Sequence, residues 1–309
     1  MEEEQDVVLC GLSPAARGHR GAGGGGVHPE PIPGPQALRS AGHRPAPPAV
    51  SCSCASLLLP NRAKLVKTAE LPPNQNYVLG SHPHGIMCMG MVCNFMSECN
   101  DFSRRFPGLQ PWITTLVEFF YLPVFRDYLL AAGLRPVSRH SLDFVLSQPQ
   151  LGQAVVIVIG GGQELLSTSP GQHFLKLLNR KGFVRLALRH GASLVPTYSF
   201  GENDVFNTKT FPEGSWLNLC QVVHKRIIGF SPCVFWGRSI FLPNSWGLLP
   251  HPRPITTVVG APIHVPQLSA PTEEQVDHYH RLYMEALERL FEEHKESCGI
   301  SASTHLNFR

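Results

Sequence analysis

Short apolar runs along the chain predict strands, and segments with helical spacing of apolar residues lie between them. The runs are NYVLG (76–80), AVVIVI (154–159), SLVPTYSF (193–200) and ITTVV (255–259). The second run is continuously apolar and rich in β-branched residues, which is typical of a strand buried on both faces of a sheet. Strands that alternate with helices predict an α/β fold, with a mainly parallel sheet flanked by helices.

Several segments have the periodicity of helices. Helical spacing predicts helices over 86–96, 138–146 and 174–190. The last of these could break at Gly182, and Gly191 is a natural C-terminal stop. A further helix follows Thr272, whose spacing to Gln275 matches a capping box. We interpret that final helix as one that docks on the fold and has no catalytic role.

Residues 1–60 differ in composition from the rest of the chain. They are rich in Gly, Pro, Ala and Arg and contain few large apolar side chains. Such a segment cannot bury enough apolar surface to offset the entropy of ordering it. We therefore predict a disordered segment over 1–60 and a folded domain over 61–309.

Composition and charge narrow the classes of function. Hydrophobic residues make up 43% of the 309 residues, which is enough for a sizeable core. The net charge of +3, with no Lys- or Arg-rich run, argues against nucleic-acid binding. The nine cysteines form no paired CxxC motif, which favours reduced thiols facing the cytosol over a disulfide framework or a zinc ribbon.

Three features bear on membrane association. The N-terminal MEEEQD lacks the apolar core of a signal peptide, and no run of about 18 to 20 strongly apolar residues predicts a membrane-spanning helix. Residues 230–249 are crowded with Phe, Trp and Leu, as in segments that lie at a membrane surface. The same composition fits a corner of a folded core, so both interpretations stay open.

Polar side chains follow three of the predicted strands. His82 and His84 follow the first strand, Glu164 follows the second after a run of three glycines, and Glu202 and Asn203 follow the third. Ligands of open α/β sheets bind beyond the carboxyl ends of the strands. We therefore expect these groups to share one crevice.

The histidine pair has three interpretations. An H-x-H at a strand end can supply two ligands to a divalent ion, as in metal-dependent hydrolases, and Glu164, His190 or Asp204 could complete the shell. Either histidine can also be a hydrogen-bonded structural residue. Alternatively, an imidazole that titrates near neutrality can take a proton from an alcohol and release it later. Gly85 would then let a substrate approach the backbone, and a helix beginning there would offer N–H groups to an oxyanion.

Five stretches of the sequence carry a resemblance to a known family. They are KLVKTAELPPNQNYVLGSHPHG (64–85), FRDY (125–128), RKGFVRLALRHGASLVP (180–196), FGEND (200–204) and PITTVVG (254–260). In this order they resemble the type 2 diacylglycerol acyltransferase family, which includes monoacylglycerol and wax-alcohol acyltransferases. HKESCGISAST near the end is most similar to the monoacylglycerol acyltransferase branch.

The resemblance implies a reaction and a location. Members transfer a fatty acyl group from acyl-CoA to a hydroxyl of a neutral lipid at the endoplasmic reticulum membrane, with the active site on the cytosolic face. Acyl-CoA would be a substrate, and no cofactor or metal is expected. The partners expected are therefore acyl-CoA, a neutral-lipid acceptor and a membrane surface.

The resemblance also implies catalytic residues. His82 and His84 match the family's HPHG motif, and we prefer His84 as the general base. Glu164 and Glu202 match acidic positions of the family, and a carboxylate near the base could orient the imidazole and stabilise the imidazolium. Related glycerolipid acyltransferases have an aspartate five residues after their histidine, where this chain has methionine, so the carboxylate must come from elsewhere.

Further residues are candidates for substrate binding. Arg180 and Lys181, with Arg185 and Arg189, form a basic cluster that could clamp the phosphates of coenzyme A. The alternative is a solvated face of a helix. The full set of substrate-binding candidates is Gly85, Gly160, Gly161, Arg180, Lys181 and Asn203.

The N-terminal region departs from the family pattern. Relatives carry long apolar segments before KLVKTAEL, where this chain is rich in Gly and Pro. We expect membrane anchoring to be weakened as a result. Two alternative functions stay open: a metal-dependent hydrolase that uses the H-x-H pair, and a catalytically weak, membrane-associated relative.

Overall fold

The computed structural model describes residues 63–309, apart from 213, 229–231 and 240–245. Its strands are β1 (Ala63–Lys67), β2 (Tyr77–His82), β3 (Gln110–Thr115), β4 (Arg135–Pro136), β5 (Gln153–Val158), β6 (Phe174–Leu175), β7 (Ser193–Phe200), β8 (Asn207–Lys209), β9 (Val234–Arg238), β10 (Trp246–Gly247), β11 (Ile255–Val259) and β12 (Asn307–Phe308). The disorder predicted for 1–60 lies outside the described residues.

The helices lie between and after these strands. They are α1 (Met89–Met91), α2 (Phe102–Arg105), α3 (Phe125–Ala131), α4 (Arg139–Leu146), α5 (Gly161–Ser167), α6 (Gly182–His190), α7 (Trp216–Ile228) and α8 (Glu273–His294). A π-helical segment, Val92–Met96, continues α1, and 3₁₀ turns span Val117–Tyr121, Glu202–Asp204 and Glu296–Cys298.

The main sheet has seven strands in the order β1-β11-β7-β2-β5-β3-β4. The five strands from β7 to β4 are mutually parallel. β11 runs antiparallel to β7, and β1 pairs with β11 in parallel. The sheet is therefore mainly parallel, as the sequence predicts, and β2 lies between β7 and β5 at its centre.

Both faces of the sheet are covered. On one face, Val78 and Val155 pack in a core with α4, α6 and α8. On the other face, Leu79 and Val156 pack with apolar residues of the π-helical segment and α2. Successive residues of β2 and β5 thus point to opposite cores, which explains why their sequences are apolar without alternation.

Most of the predicted elements are confirmed. β2, β5, β7 and β11 lie where the apolar runs predict strands. Ser138 caps α4, and its side chain accepts a hydrogen bond from the Ser141 N–H. The capping box at α8 is present, with Thr272 and Gln275 each bonding the other's backbone. Gly191 ends α6 in the left-handed conformation.

Two predicted helices are wrong in part. Residues 174–181 are not helical: β6 lies there and pairs with β12, and the helix begins only at Gly182. The helix predicted over 86–96 starts at Met89, because Cys88 adopts a left-handed conformation with φ of 50°. The residues between β2 and α1 therefore form a turn.

Apolar side chains are also present at the surface. Within the described residues, no helix has the length and apolar character needed to cross a bilayer. In the aromatic segment 230–249, Phe235 packs on Phe206 with ring centroids 5.4 Å apart, whereas Leu248 is 61% exposed. Phe230 and Phe241 lie outside the described residues, so both interpretations of that segment stay open.

Candidate active site

The carboxyl ends of three adjacent strands meet at one edge of the sheet. β2 ends at His82 and leads into His84, β5 leads into α5 with Glu164, and β7 leads into the 3₁₀ turn that begins at Glu202. Both glutamates bond the segment 84–90. These groups therefore lie together at one edge of the sheet, as expected, and a crevice that binds substrate there stays a prediction.

His82 is a buried, hydrogen-bonded residue. It is 1% exposed, and its Nε2 lies 3.0 Å from the Tyr283 hydroxyl. That hydroxyl donates to the carbonyl oxygen of Gly80 at 3.1 Å. With its single proton directed there, the hydroxyl accepts from His82, so the imidazole carries its proton on Nε2. Burial lowers the pKa of His82 to about 3, so this imidazole is a weak base.

His84 is only partly buried and has the complementary tautomer. Its Nδ1 lies 2.9 Å from the carbonyl oxygen of Gly85. Because a carbonyl can only accept, Nδ1 carries the proton and the basic lone pair lies on Nε2. The Cys88 thiol lies beside this histidine and donates to its carbonyl oxygen at 3.2 Å. His84 therefore combines partial exposure with a basic nitrogen, as a general base requires.

Glu164 is buried against the segment that carries His84. It is 1% exposed. Its Oε1 accepts from the backbone N–H of His84 at 2.5 Å, and its Oε2 accepts from the backbone N–H of Lys176 at 2.9 Å. Burial raises the pKa of this carboxyl to about 7, although the two N–H groups and the nearby Arg180 and Lys176 oppose the increase.

Glu202 makes the corresponding contacts at the other end of the same segment. It is 2% exposed. Its Oε1 accepts from the Met89 N–H at 2.7 Å and its Oε2 from the Gly90 N–H at 2.6 Å. Burial raises its pKa to about 7 against the effect of these bonds. Both glutamates therefore bind backbone amides, which differs from the predicted hydrogen bond between a carboxylate and an imidazole.

Two other expectations for this segment need correction. The first N–H groups of α1, which we expected to stabilise an oxyanion, donate to Glu202 instead. The space beside the Gly85 Cα, expected to admit substrate, is filled, since a Cβ there would lie 2.6 Å from the Glu202 Cγ. Gly85 also has a φ of 58°, so the fold alone requires glycine at this position.

The glycines after β5 are explained in a similar way. A Cβ on Gly160 would overlap the carboxylate of Glu164, and Gly161 has a φ of 60°. Asn203 is 9% exposed, and its amide donates to the carbonyl oxygen of Gln172 at 2.9 Å. Substrate contact at these three residues stays a prediction.

The members of the basic cluster contact three different parts of the fold: the site, α8 and α4. Arg180 bonds Gln163, the neighbour of Glu164, at 3.3 Å. Lys181 pairs with Asp277 at 2.5 Å, and Arg185 pairs with Glu273 at 2.7 Å. Arg189 lies 3.4 Å from Asp143. Arg180 is thus the member of this cluster nearest the carboxylates, and phosphate binding by Arg180 and Lys181 stays a prediction.

Tyr283 is the site residue that the sequence did not reveal. The periodicity of α8 places it on the core face of a docking helix, and it is fully buried there. Its hydroxyl contact with His82 spans 201 residues of sequence. Apolar spacing predicts the burial of a tyrosine but carries no information on its hydrogen-bond partner. α8 therefore contributes to the site as well as to the core.

Metal ligation was the other interpretation of the histidine pair. One nitrogen of each imidazole is engaged, His82 by a tyrosine hydroxyl and His84 by a carbonyl oxygen. Across the described part of the chain, no group of three or more His, Cys, Asp or Glu residues is arranged to hold a metal ion.

Comparison with known proteins identifies the relatives of the chain. The human 2-acylglycerol O-acyltransferase 3 is 68% identical over 245 residues, which cover 79% of this chain and 72% of that protein. The rat diacylglycerol O-acyltransferase 2 is 52% identical over 237 residues, which cover 77% of this chain and 61% of that protein. The chain thus spans less than two thirds of the second relative's length.

Two further comparisons address the fold and the family. A crystal structure of the 1-acyl-sn-glycerophosphate acyltransferase PlsC from Thermotoga maritima aligns over 78% of this chain and 75% of its own, with 10% identity and a TM-score of 0.39. That similarity is too low to align individual site residues. The profile of the diacylglycerol acyltransferase family matches residues 59–309, so the resemblance noted in the sequence is confirmed and the chain belongs to this family.

Proposed function

We propose that this chain transfers a fatty acyl group from acyl-CoA to a hydroxyl of an acylglycerol, with His84 as the general base. The imidazole Nε2 takes the proton of the acceptor hydroxyl as its oxygen attacks the thioester carbonyl carbon. The tetrahedral intermediate then collapses, the carbon–sulfur bond breaks, and the imidazolium returns the proton to the coenzyme A thiolate. The products are an ester and free coenzyme A, and no additional cofactor is consumed.

The names of the relatives support a choice of acceptor. The more similar of the two relatives described above is named for a 2-acylglycerol acceptor, and the other for diacylglycerol. We therefore propose monoacylglycerol as the preferred acceptor and diacylglycerol as the alternative. A labelled acyl-CoA supplied to membranes that contain the chain, followed by identification of the labelled lipid, separates these acceptors from a long-chain alcohol.

The tautomer of His84 is the observation that supports this mechanism. Nδ1–H donates to the Gly85 carbonyl, so the Nε2 lone pair is the one that can accept a proton. His82, by contrast, is buried and has a pKa lowered to about 3. This contrast favours His84 as the base.

Substitution of His84 tests the proposal. His84→Ala should lower the turnover of labelled acyl-CoA by about 10²- to 10⁴-fold, the usual contribution of a positioned general base. His278→Ala, which alters an exposed histidine of α8, is the matched control and should retain full turnover. Wild-type turnover in the His84→Ala variant would contradict the mechanism.

We also propose that the chain acts at the cytosolic face of the endoplasmic reticulum membrane. Large apolar side chains are exposed on two described segments, which would suit contact with a lipid surface. They are Tyr121, Leu122, Val124, Phe125 and Tyr128 in and before α3, and Trp216, Leu219, Val222 and Val223 on α7. Alkaline carbonate should release a substantial fraction of the chain from membranes. Complete resistance to extraction would contradict attachment by surface contact.

A further inference from the structure

Four backbone N–H groups near the proposed base point at two buried carboxylates. We propose that Glu164 and Glu202 are positioning residues that clamp the turn 84–90 by accepting hydrogen bonds through both carboxylate oxygens. In this role they fix the backbone from which the His84 imidazole projects, and they do not act on the imidazole directly. This inference rests on the proposed function of His84.

The contacts hold the turn at both of its ends. Glu164 binds the N–H of His84 at 2.5 Å, at the start of the turn. Glu202 binds the N–H groups of Met89 and Gly90 at 2.7 and 2.6 Å, where the turn becomes α1. Charge-assisted hydrogen bonds of this kind are about twice as strong as neutral ones. A displacement of the turn would break at least one of them.

The conformation of the turn explains why it needs such support. Gly85 and Cys88 both have left-handed backbones, with φ of 58° and 50°. For a residue other than glycine this conformation costs about 1 kcal/mol or more. Surrounding contacts must therefore stabilise the Cys88 conformation, and the two carboxylates lie on either side of it.

Glu164 is itself fixed to a second segment of the fold. Its other oxygen accepts from the Lys176 N–H. The residues around Lys176 are held by the pairing of β6 with β12 and by His280, whose Nε2 donates to the carbonyl oxygen of Leu177 at 3.1 Å. The clamp thus connects the His84 turn to parts of the core that are distant in sequence.

The charged and titratable neighbours of the two carboxylates influence the pH at which all four hydrogen bonds of the clamp form. Lys176, Arg180 and Tyr198 lie within electrostatic reach of Glu164, and Cys93 lies within reach of Glu202. A protonated carboxyl places an O–H donor where a backbone N–H needs an acceptor. Because burial raises the pKa of both carboxyls to about 7, the full set of four bonds forms only as the pH rises through neutrality.

Glutamine variants test the clamp without any measurement of activity. A glutamine offers one acceptor oxygen, and its NH₂ group would face the other N–H donor. Hydrogen exchange followed by mass spectrometry should show faster exchange in peptides covering 84–90 for both Glu164→Gln and Glu202→Gln. Glu98→Gln is the matched control, because exposed Glu98 also accepts through both oxygens, from the N–H and hydroxyl of Ser103. It should leave exchange in the turn unchanged.

Kinetics test whether the clamp positions the base. Each glutamine variant should lower kcat by about 10- to 100-fold, since a displacement of about 1 Å has this effect on a positioned group, while KM for acyl-CoA changes less than about twofold. In the wild type, log kcat should fall below neutral pH with a slope greater than one, because the imidazole and both carboxyls must be deprotonated. Each variant should reduce that slope by one proton.

The outcomes separate this proposal from the proposed function. Wild-type exchange in the turn together with a loss of turnover would show that the carboxylates act directly on the imidazole or the substrate, and would overturn the clamp. A wild-type chain that transfers no acyl group would refute the proposed function, while the exchange measurement still tests the clamp. If a glutamine variant does not fold, Glu202→Asp retains both oxygens on a shorter side chain and should still accelerate exchange at 89–90. Unchanged exchange there would refute the clamp.

Discussion

Replacement of Tyr283 by phenylalanine would test the buried contact between α8 and the centre of the sheet. The change removes one hydroxyl, which accepts from His82 and donates to Gly80 at 3.0 and 3.1 Å. Phenylalanine has nearly the same shape, so the edge-on contact with the Phe183 ring, 4.8 Å between centroids, is retained. The variant therefore isolates the hydrogen bonds from the packing.

The loss of stability follows from the hydrogen-bonding groups that the variant leaves without a partner. Without the hydroxyl, the buried Nε2–H of His82 has no acceptor, in addition to the Nδ1 that already has no partner among the described residues. An unsatisfied buried donor costs about 1–3 kcal/mol. For a domain of this size, that loss corresponds to a melting temperature lower by about 2–4 °C for each kcal/mol.

The assay is the unfolding of the purified full chain, by denaturant or heat, with two controls. Tyr279→Phe, on the preceding turn of the same helix and only partly buried, should change the free energy of unfolding by less than about 0.5 kcal/mol. A double-mutant cycle with His82→Ala should give a coupling energy of about 1 kcal/mol. Equal effects of the two tyrosine variants, or zero coupling, would refute the bridge, that is, the hydrogen-bonded contact of Tyr283 with His82 and Gly80.

Four further outcomes are expected. His82→Ala should lower acyl transfer less than His84→Ala but destabilise folding more, because His82 is 1% exposed; turnover and unfolding measured side by side check this. The pKa of Glu164 and Glu202 is raised to about 7 in the folded chain. Each protonated carboxyl therefore stabilises the fold fully below about pH 4.5. This stabilisation, about 3 kcal/mol per group, is lost as the pH rises to about 7. The free energy of unfolding of the glutamine variants should not show this decrease over the same pH range. Deletion of residues 1–60, whose composition cannot form a core, should leave the free energy of unfolding within about 0.5 kcal/mol. A metal chelator should leave acyl transfer intact, whereas loss of turnover restored by a divalent ion would favour the hydrolase interpretation.

Local patterns in the sequence were sufficient where burial alone determines structure. The run 193–200 is apolar because β7 is buried on both faces, and its bounds match the prediction. The histidines and glutamates were also assigned to one region, because parallel strands end at the same edge of a sheet. These inferences need only neighbouring residues and a general rule of topology.

The sequence interpretation was wrong or incomplete where contacts between residues distant in sequence determine the structure. Phe174, Leu175, Leu177 and Leu178 have the spacing of a helical face. Only Phe174 and Leu175 form a strand, however, and the backbone of this segment bonds to residues 307–309 instead. The roles of the glutamates were also incomplete, since a sequence shows a carboxylate but not whether it binds an imidazole or an amide. Both errors concern partners that lie about 80 to 130 residues away.

The bridge between Tyr283 and the sheet has a consequence for how these two parts of the chain can evolve. Any side chain at position 80 would occupy the space of the Tyr283 hydroxyl, and a Cβ there would also come within 2.5 Å of the Ile159 Cδ1. A tyrosine at 283 therefore requires a glycine at 80, whereas a glycine at 80 tolerates other residues at 283. In an alignment of relatives, we expect chains with tyrosine at 283 to have glycine at 80, and alanine at 80 to be accompanied by smaller residues at both 283 and 159.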